Sequence, residues 1–331
     1  MPVKVVVFSS KPHDHAFLEA ANAGRHQLVF QEARLLPASA PLAAGAAAVC
    51  LFVHDHADAG IMATLAGLGV RHIALRCAGF NNVDLAAAAA HGISVARVPA
   101  YSPHGVAEHA VALYLTLNRR VHRAYNRVRD GNFALEGLLG VDVHGKTVGV
   151  LGTGKIGVCF ARIMCGFGCR VLAFDVARNP EAEALGVTYT SREELFAESH
   201  IISLHCPLTP QTRHVINRET LARMRDGVVI INTGRGPLID TSAVINALKS
   251  GKLGALALDV YEEEEGVFYE DHSGDFLADD RLARLLSFPN VLVTSHQAFF
   301  TREAITAIAE TTIGNLDDFA AGRPCPNALP G

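Results

Sequence analysis

Short β-branched and aliphatic runs alternate with helix-like segments along nearly the whole sequence. Twelve such runs are predicted as strands, five between residues 4 and 98 and seven between residues 146 and 296. Strands separated by helices are typical of parallel sheets whose faces the helices cover. The pattern therefore predicts an α/β fold with two doubly wound parallel sheets.

The position of the last helix indicates how the two sets of strands are joined. The segment TREAITAIAETTIGNLDDFAAG follows the seventh strand of the second set, which already fills a unit of its own. We therefore expect this helix to pack on the first set, so that a second domain at 102–298 is inserted into a host made of 1–101 and 299–331. The two crossings predict a hinge, and a ligand cleft is expected between domains.

A long helical segment opens the second domain. Residues 102–131 read SPHGVAEHAVALYLTLNRRVHRAYNRVRDG, in which Ser102 can cap the helix, Pro103 suits its first turn and Gly131 can end it. We predict one helix of about thirty residues. Its apolar surface exceeds what one sheet needs, which favours a two-fold interface and hence a homodimer.

Composition and charge exclude several classes of partner. The 331 residues suit two domains, and the formal net charge of −4 gives no electrostatic basis for binding nucleic acid or an anionic membrane. No apolar run approaches the roughly 20 residues that span a bilayer, and the N-terminus lacks a long apolar targeting segment. Seven cysteines without a Cys-x-x-Cys pair fit reduced thiols in the cytoplasm. The sixteen histidines, two HDH segments among them, lack a ligand cluster in register, so we predict no metal site.

The segment VGVLGTGKIG predicts a dinucleotide site, because three glycines follow a strand and open a helix. Gly152 permits a tight turn, Gly154 lets a pyrophosphate approach the backbone, and Gly157 lets helix and strand pack closely. The pattern alone is weak, since glycine is common in turns, but its context strengthens it. Lys155 and Ile156 complete the predicted loop.

An acidic residue ends the next strand, LAFD, where a ribose-binding carboxylate belongs. Asp175 lies 18 residues after Gly157. A carboxylate there hydrogen-bonds the ribose hydroxyls and repels a 2′-phosphate, so NAD is favoured over NADP as the cofactor. Arg178 follows three residues later and softens that preference.

Other strand ends of the second domain point to the same crevice, because ligands bind beyond the carboxyl ends of strands in open α/β sheets. These ends place Cys206, Pro207, Thr233, Gly234 and Asp259 as cofactor-binding candidates. Cys206 can be interpreted as a reactive thiol or as a small residue that lines the cofactor crevice. No activating base is evident, which favours the lining role.

Three strand ends also carry groups that suit reduction of a 2-keto acid. They are Arg235 in NTGRG, a glutamate of the run 262–265, and His296 in TSHQAFF. Arginine can hold the substrate carboxylate and polarise the carbonyl, and histidine can protonate the new alkoxide near neutral pH. A carboxylate partner is expected to raise the pKa of that histidine.

Taken together, these motifs resemble the NAD-dependent D-2-hydroxyacid dehydrogenases, most of all the bacterial D-lactate dehydrogenases. Eight segments follow in the order and spacing of that family: LRCAGFNNVDL, VPAYSPHGVAEHAVAL, GTGKIG, LHCPLTPQT, NTGRGPLIDT, LDVYEEE, FYEDHS and TSHQAFFT. The resemblance implies a Rossmann NAD-binding domain inserted into a flavodoxin-like substrate domain.

The resemblance also implies roles for single residues. Arg235, Glu264 and His296 match the catalytic trio, and Glu265 is the alternative to Glu264, since one register slip exchanges the two. The other glutamates of the run are then expected to form a solvated acidic face. Asp259 would receive the nicotinamide carboxamide.

Substrate binding is implied at both ends of the host segment. The backbone N–H groups of Ala78 and Gly79 would bind the substrate carboxylate, with Arg76 as a weaker candidate. Tyr101 and Phe299 would form the substrate pocket. Gly234 departs from the family, in which many members carry Ser or Ala before the arginine, and this could loosen the loop of Arg235.

We therefore expect reversible, NADH-dependent reduction of pyruvate to D-lactate by a cytoplasmic enzyme. A reductase of glyoxylate, hydroxypyruvate or a larger 2-keto acid is the nearest alternative, because one methylene changes discrimination by only about 1–3 kcal/mol. An NAD(H)-sensing binding protein is an alternative of another class. The family implies a homodimer, with a homotetramer as the second possibility.

Overall fold

The computed structural model describes Pro2–Pro330, and the chain divides into two compact units. Unit 1 comprises Met1–Ser102 and Phe300–Gly331, and unit 2 comprises Pro103–Phe299. The assignment of substrate binding to one unit and of catalysis to particular residues stays a prediction at this point.

Unit 1 is built on a parallel sheet of five strands. Its strands are β1 (Lys4–Val7), β2 (Gln27–Phe30), β3 (Ala48–Leu51), β4 (His72–Leu75) and β5 (Ser94–Ala96). They lie in the order β2-β1-β3-β4-β5, which is the flavodoxin-like order. Its helices are α1 (Pro12–Asn22), α2 (Ala59–Gly67), α3 (Leu85–Ala90) and α12 (Arg302–Ala320), with a 3₁₀ turn at Ala40–Ala43.

The last helix belongs to unit 1 because its apolar face packs on the first sheet. Ala309, Ile313 and Leu316 share a core cluster with the β1 residues Val5 and Val7. The helix also contacts α1 and β4. The final segment of the chain is thereby tied to its first strand.

Unit 2 is built on a parallel sheet of seven strands. Its strands are β6 (Thr147–Leu151), β7 (Arg170–Phe174), β8 (Thr188–Tyr189), β9 (Ile201–Leu204), β10 (Val228–Asn232), β11 (Leu253–Leu258) and β12 (Val291–Val293). The order β8-β7-β6-β9-β10-β11 is the Rossmann order, and β12 extends it at the edge. Its helices are α4 (Pro103–Asn118), α5 (Val121–Arg129), α6 (Lys155–Gly166), α7 (Pro180–Ala184), α8 (Arg192–Glu198), α9 (Arg218–Arg223), α10 (Thr241–Ser250) and α11 (Asp280–Leu286), with a 3₁₀ turn at Gly236–Leu238. The predicted α/β class with two doubly wound parallel sheets is confirmed.

The prediction of one long helix over 102–131 is wrong. The chain leaves α4 after Asn118, passes through Arg120 with a φ of 55°, and starts α5 at Val121. A left-handed residue ends the helical hydrogen-bond ladder. The break is held by the Asn118 side chain, whose amide donates to the Val141 carbonyl at 2.8 Å and accepts from the Val141 N–H at 3.1 Å.

The break also changes which surface is apolar and exposed. The inward face of α4 is buried in the core of unit 2, including Ala110, Leu113 and Leu117. Helix α5 buries none of its nine residues. The surplus apolar surface that the sequence predicts for the whole segment therefore lies on α5 and the loop that follows it.

Candidate active site

The glycine loop between β6 and α6 leaves open space at one glycine and close contact at the other two. A Cβ added at Gly152, whose φ is 100°, would lie 2.6 Å from the Cys206 amide nitrogen. A Cβ added at Gly157 would lie 2.0 Å from the Gly152 carbonyl oxygen. A Cβ added at Gly154, the N-cap of α6, would meet nothing within 4 Å. The loop thus fits a pyrophosphate, which needs open backbone at the N-terminus of a helix.

Asp175 lies directly after β7 and faces this loop. Its Oδ2 accepts hydrogen bonds from the Thr153 N–H at 2.5 Å and from the Thr153 hydroxyl at 3.1 Å, and its Oδ1 accepts from the Val176 N–H at 2.7 Å. The carboxylate is half-buried, and Lys155 and Ile156 lie in the first turn of α6. The acid therefore lies beside the glycine loop, and its contact with a ribose stays a prediction.

Cys206 and Pro207 follow β9 on the neighbouring strand. Burial raises the pKa of the Cys206 thiol to about 11. The thiol is consequently protonated at neutral pH, which supports its interpretation as a wall residue. His205 beside it is also neutral, because burial lowers the pKa of its imidazole to about 3.

The loop that carries Arg235 is held by Asn232, a buried residue that is not among the predicted site residues. The Asn232 amide donates to the Arg235 carbonyl at 2.8 Å and accepts from the Gly234 N–H at 3.0 Å. A Cβ at Gly234 would lie 3.5 Å from its nearest neighbours, so an Ala there would fit. The Asn232 clamp holds the loop whichever small residue occupies position 234. The asparagine that starts NTGRG was the available signal.

His296 and Glu264 form a close pair in the segments that follow β12 and β11. The distance from His296 Nδ1 to Glu264 Oε1 is 2.8 Å, and the two side chains are 16% and 17% exposed. The other carboxylate oxygen of Glu264 accepts from the Tyr261 N–H at 2.9 Å. Since Nδ1 is engaged, Nε2 is the ring nitrogen that remains for a substrate.

The backbone around His296 is equally constrained. Its φ is 52°, its N–H donates to the Asp259 carbonyl at 2.6 Å, and its own carbonyl accepts from the Tyr269 hydroxyl at 2.8 Å. A histidine in the left-handed region needs such support, because that conformation is unfavourable for residues other than glycine. The structure therefore sets the direction of the imidazole through both its backbone and its ring.

The Asp259 carboxylate holds the loop 294–298, which contains His296, by hydrogen bonds. Its fully buried carboxylate accepts from the Thr294 hydroxyl at 2.5 Å and from the N–H groups of Gln297 at 2.9 Å and Ala298 at 2.8 Å. Burial alone would raise the pKa of this carboxyl, but hydrogen bonds from His109, Thr294 and the two N–H groups hold it below its usual value. Its contact with a nicotinamide carboxamide stays a prediction.

The four consecutive glutamates 262–265 do not share one environment. Glu262 is only 11% exposed, and its carboxylate lies 2.6 Å from His214 Nε2 and accepts from the Thr241 N–H at 3.2 Å. The expectation that the run outside Glu264 is a solvated acidic face is therefore wrong for Glu262. The cause is a histidine 48 residues away in the sequence, which local charge patterning does not show.

The next members of the run are closer to the expectation. Glu263 is 57% exposed and pairs with Arg281 on α11. Glu265 lines an open surface depression together with Glu263 and Arg281. Glu264 is the member whose carboxylate contacts His296.

The predicted substrate residues of unit 1 lie on the loop after β4 and at the end of its first segment. The Ala78 carbonyl accepts from the Arg97 guanidinium at 2.8 Å, and the Gly79 carbonyl accepts from the Cys77 thiol at 3.2 Å. Tyr101 is half-buried, as is Phe299 at the last position of unit 2. Their substrate contacts stay predictions.

Arg76 has an internal role in unit 1. Its side chain is 2% exposed, its Nε lies 3.2 Å from Asp14 Oδ1, and its Nη2 donates to the Ser9 carbonyl at 2.8 Å. A buried guanidinium needs such partners, because an unpaired buried charge is costly. The arginine thereby ties the end of β4 to α1, and its contact with a substrate stays a prediction.

The HDH segment at 13–15 takes part in packing. His15 stacks on Phe30 with ring centroids 4.1 Å apart, and His13 meets Phe300 edge-on at 4.8 Å. Within Pro2–Pro330, no group of three or more His, Cys, Asp or Glu side chains is arranged to hold a metal ion. Over the same range, no helix has both the length and the apolar character to cross a membrane.

The sequence matches known proteins along its full length. The model of the D-isomer specific 2-hydroxyacid dehydrogenase NAD-binding domain matches residues 111–298. The chain belongs to the D-2-hydroxyacid dehydrogenase family. The D-lactate dehydrogenase of Escherichia coli is 51% identical over 328 residues, which cover 99% of this chain and 100% of that protein.

Solved structures of the family support the same placement. A structure described as the pyruvate reductase of Chlamydomonas reinhardtii has a TM-score of 0.94 and 48% identity, with 98% of each chain covered. The D-lactate dehydrogenase of Lactobacillus jensenii with NAD⁺ has a TM-score of 0.82 and 30% identity, covering 99% of this chain and 100% of that one. This member of the D-2-hydroxyacid dehydrogenase family is an NAD-dependent oxidoreductase.

Proposed function

We propose that the protein is a D-lactate dehydrogenase, which reduces pyruvate to D-lactate with NADH and catalyses the reverse reaction with NAD. The His296–Glu264 pair at 2.8 Å carries the proposal for the chemistry. The choice of pyruvate rests on the full-length likeness to the E. coli D-lactate dehydrogenase and on the structure described as a pyruvate reductase.

His296 is the proton donor in this proposal. Bound NADH supplies the hydride for the carbonyl carbon, and the new alkoxide then needs one proton. Nε2 of His296 delivers it, because Nδ1 is held by Glu264. Glu264 carries the complementary charge and is itself oriented by the Tyr261 N–H. A general acid held in this way typically accelerates such a step about 10²- to 10⁴-fold.

Arg235 is the group that binds and polarises the substrate. Its guanidinium is half-buried and always charged, and it presents donors in a rigid fork that matches a carboxylate. Asn232 fixes the carbonyl and the preceding N–H of its loop. The backbone N–H groups of Ala78 and Gly79 are proposed as the second carboxylate contact, with Tyr101 and Phe299 around the remaining part of the substrate, and these assignments rest on the family resemblance alone.

The residues that hold NAD in this proposal surround the glycine loop. Gly152, Gly154 and Gly157 with Lys155 and Ile156 receive the pyrophosphate, and Asp175 receives the ribose. Cys206, Pro207, Thr233, Gly234 and Asp259 form the wall toward the nicotinamide. The negative charge of Asp175 favours NAD over NADP, because a 2′-phosphate would be repelled.

Oxidation of NADH followed by absorbance tests the proposal. Pyruvate is compared with glyoxylate, hydroxypyruvate, 2-ketobutyrate and phenylpyruvate, and NADPH serves as a parallel donor. We expect the highest kcat/KM with pyruvate and NADH, and a product that only a D-specific lactate oxidase consumes. A higher kcat/KM for another keto acid would keep the dehydrogenase and reject D-lactate as its product. Tight NADH binding without turnover of any keto acid would instead indicate an NAD(H)-sensing protein.

For the oligomeric state, we infer a homodimer formed through α5 and the loop after it. Large apolar side chains are exposed along this segment, namely Val121, Tyr125, Val128, Phe133, Leu135, Leu139 and Val141, at 49% to 92% exposure. The first three lie at i, i+4 and i+7 on one face of α5. A concentration of exposed apolar side chains in one segment is typical of an interface, and a two-fold axis would bring the same segment of two copies together.

Sedimentation equilibrium checks this inference. Val128→Glu combined with Leu139→Glu should convert a dimer to monomers without loss of secondary structure, and a wild-type protein that sediments as a monomer would reject it. A tetramer that falls to dimers in the double variant would indicate that this surface forms one of two interfaces.

The cytoplasm is the compartment that we propose for this enzyme. All seven cysteines are free in the structure. Free thiols persist in a reducing compartment, whereas oxidising compartments favour disulfides. Fractionation of the source cells, with recovery of the activity beside a cytoplasmic marker, is the corresponding measurement.

A further inference from the structure

A chain of hydrogen bonds leads from the edge strand of unit 2 to the carboxylate of Asp175. The Tyr189 hydroxyl lies 2.7 Å from the Thr153 hydroxyl, which lies 3.1 Å from Asp175 Oδ2. An ionised carboxylate can only accept, so the Thr153 hydroxyl donates to Asp175 and must accept from Tyr189. The direction of every bond in this chain is therefore set by the charge at its end.

Asn179 closes the network around Thr153. Its side-chain amide donates to the Thr153 carbonyl at 2.9 Å, and its backbone N–H donates to the Tyr189 hydroxyl at 2.8 Å. Thr153 is 2% exposed and lies between Gly152 and Gly154, where the backbone is otherwise permissive. The network thus fixes both the glycine loop and the position of the Asp175 carboxylate.

A cation lies beside this network. The Arg178 guanidinium lies 5.6 Å from the centre of the Tyr189 ring, and its side chain is 71% exposed. An exposed arginine at this place is the group that accommodates the 2′-phosphate of NADP in proteins of this fold class. Selectivity between the two cofactors then depends on how firmly the opposing charge of Asp175 is held.

We propose that Tyr189 is a positioning residue for cofactor selectivity, which acts through Thr153 to hold Asp175 against the adenosine ribose of NAD. The proposal rests on the assignment of Asp175 to the ribose in the proposed function, and it is independent of which keto acid is reduced. Without the Tyr189 hydroxyl, the Thr153 hydroxyl loses its donor and the Asn179 N–H loses its acceptor. The Asp175 carboxylate is then held less firmly beside the ribose. Its negative charge therefore offsets less of the attraction of Arg178 for a 2′-phosphate.

Binding of the reduced cofactors to the full chain without substrate tests this proposal. The chain contains no Trp, so the fluorescence of bound NADH and NADPH is read directly, and calorimetry gives a second Kd. In Tyr189→Phe we expect the Kd for NADH to rise about three- to tenfold, as for one lost hydrogen bond. The Kd for NADPH should stay the same or fall, and kcat at saturating NADH should stay within about twofold.

Matched variants separate positioning from general damage. Thr153→Val removes the hydroxyl at the other end of the same bond, so the ratio of the NADPH Kd to the NADH Kd should fall as it does in Tyr189→Phe. Thr153→Ser keeps the hydroxyl and should retain the wild-type ratio. Tyr114→Phe, on the buried face of α4 and outside both the glycine loop and the α5 surface, controls for loss of a tyrosine hydroxyl in unit 2. In an Asp175→Ala background, Tyr189→Phe should add nothing, because coupled residues are not additive.

Three results would overturn the proposal. One is an equal loss of NADH and NADPH affinity in Tyr189→Phe, which indicates a merely structural residue. Another is full additivity with Asp175→Ala. The third is an unchanged NADH affinity in Asp175→Ala itself, which would reject the ribose assignment and the proposal with it, while an intact reaction with pyruvate would leave the catalytic trio standing.

Discussion

Two histidine–glutamate pairs in unit 2 draw on the same run of four glutamates and are built differently. Glu264 holds His296 by Nδ1 at 2.8 Å, and Glu262 holds His214 by Nε2 at 2.6 Å. In the first pair, Nε2 of His296 faces away from Glu264. The second uses its carboxylate to join three segments, since Glu262 also accepts from the Thr241 N–H at the start of α10.

The backbone around each pair shows the same difference. Both histidines have a positive φ, 52° at His296 and 51° at His214. The N–H of His296 is held by Asp259 at the end of β11, whereas the N–H of His214 donates to the Pro237 carbonyl in the loop after Arg235. His296 is thus held with Nε2 facing away from Glu264, as the proposed proton transfer requires, and His214 cross-links the loop that follows Arg235. Residue type and pairing alone do not distinguish the roles.

Removing each imidazole is the strongest way to separate the pairs. His296→Ala should lower kcat for pyruvate reduction about 10³-fold, because the alkoxide loses its general acid, and should leave the Kd for NADH nearly unchanged. Steady-state kinetics and NADH titration measure the two quantities. The matched variant His214→Ala should lose less than about tenfold in kcat, because its ring only positions a loop. Equal losses of kcat in both variants would contradict the division of roles.

The next effect concerns the charge beside each histidine. Glu264→Gln keeps the hydrogen-bond geometry but removes the carboxylate charge beside the His296 ring. We expect kcat/KM with pyruvate at neutral pH to fall about tenfold, because a charge-assisted hydrogen bond to the ring is replaced by a weaker neutral one. Glu262→Gln should lower kcat/KM less than about threefold, because its histidine only positions a loop. Steady-state kinetics measure both values, and losses of the same size would show that general electrostatics, not the His296–Glu264 pair, sets the rate.

These contrasts also explain what the sequence could and could not predict. All twelve strands and the glycine loop were predicted, because hydrophobic runs and glycine spacing are local signals. The pairing of Glu264 with His296 came from resemblance. Three features leave no local pattern in the sequence: the Glu262–His214 pair, the Arg76–Asp14 pair and the break at Arg120. The two pairs join residues that are 48 and 62 positions apart, and the break depends on one arginine in the left-handed region.

Stability separates the glutamates in the opposite order from activity. Glu262→Ala leaves the Thr241 N–H and a half-buried His214 without their acceptor, so the free energy of unfolding should fall by about 1–3 kcal/mol. Glu263→Ala removes an exposed pair with Arg281 and should cost no more than about 1 kcal/mol. Urea denaturation followed by far-UV circular dichroism measures both. A larger fall of the unfolding free energy in Glu263→Ala than in Glu262→Ala would mean that burial does not determine how much these pairs stabilise the fold.

The smallest effect is a pH dependence of that stability. Burial alone would raise the pKa of the Glu262 carboxyl, but hydrogen bonds from His214 and Thr241 together with the charge of His214 hold it below its usual value of 4.5. A carboxyl with a lowered pKa in the folded state contributes stability that is fully present above its ordinary value and is lost as pH falls through the folded value. The difference in unfolding free energy between the wild type and Glu262→Gln should therefore shrink as pH falls below about 4.5. A difference that persists unchanged in acid would show that Glu262 stabilises the loop by its shape and by hydrogen bonds that do not need its charge. The two pairs would then differ in which ring nitrogen contacts the glutamate, and not in the charge of the carboxylate.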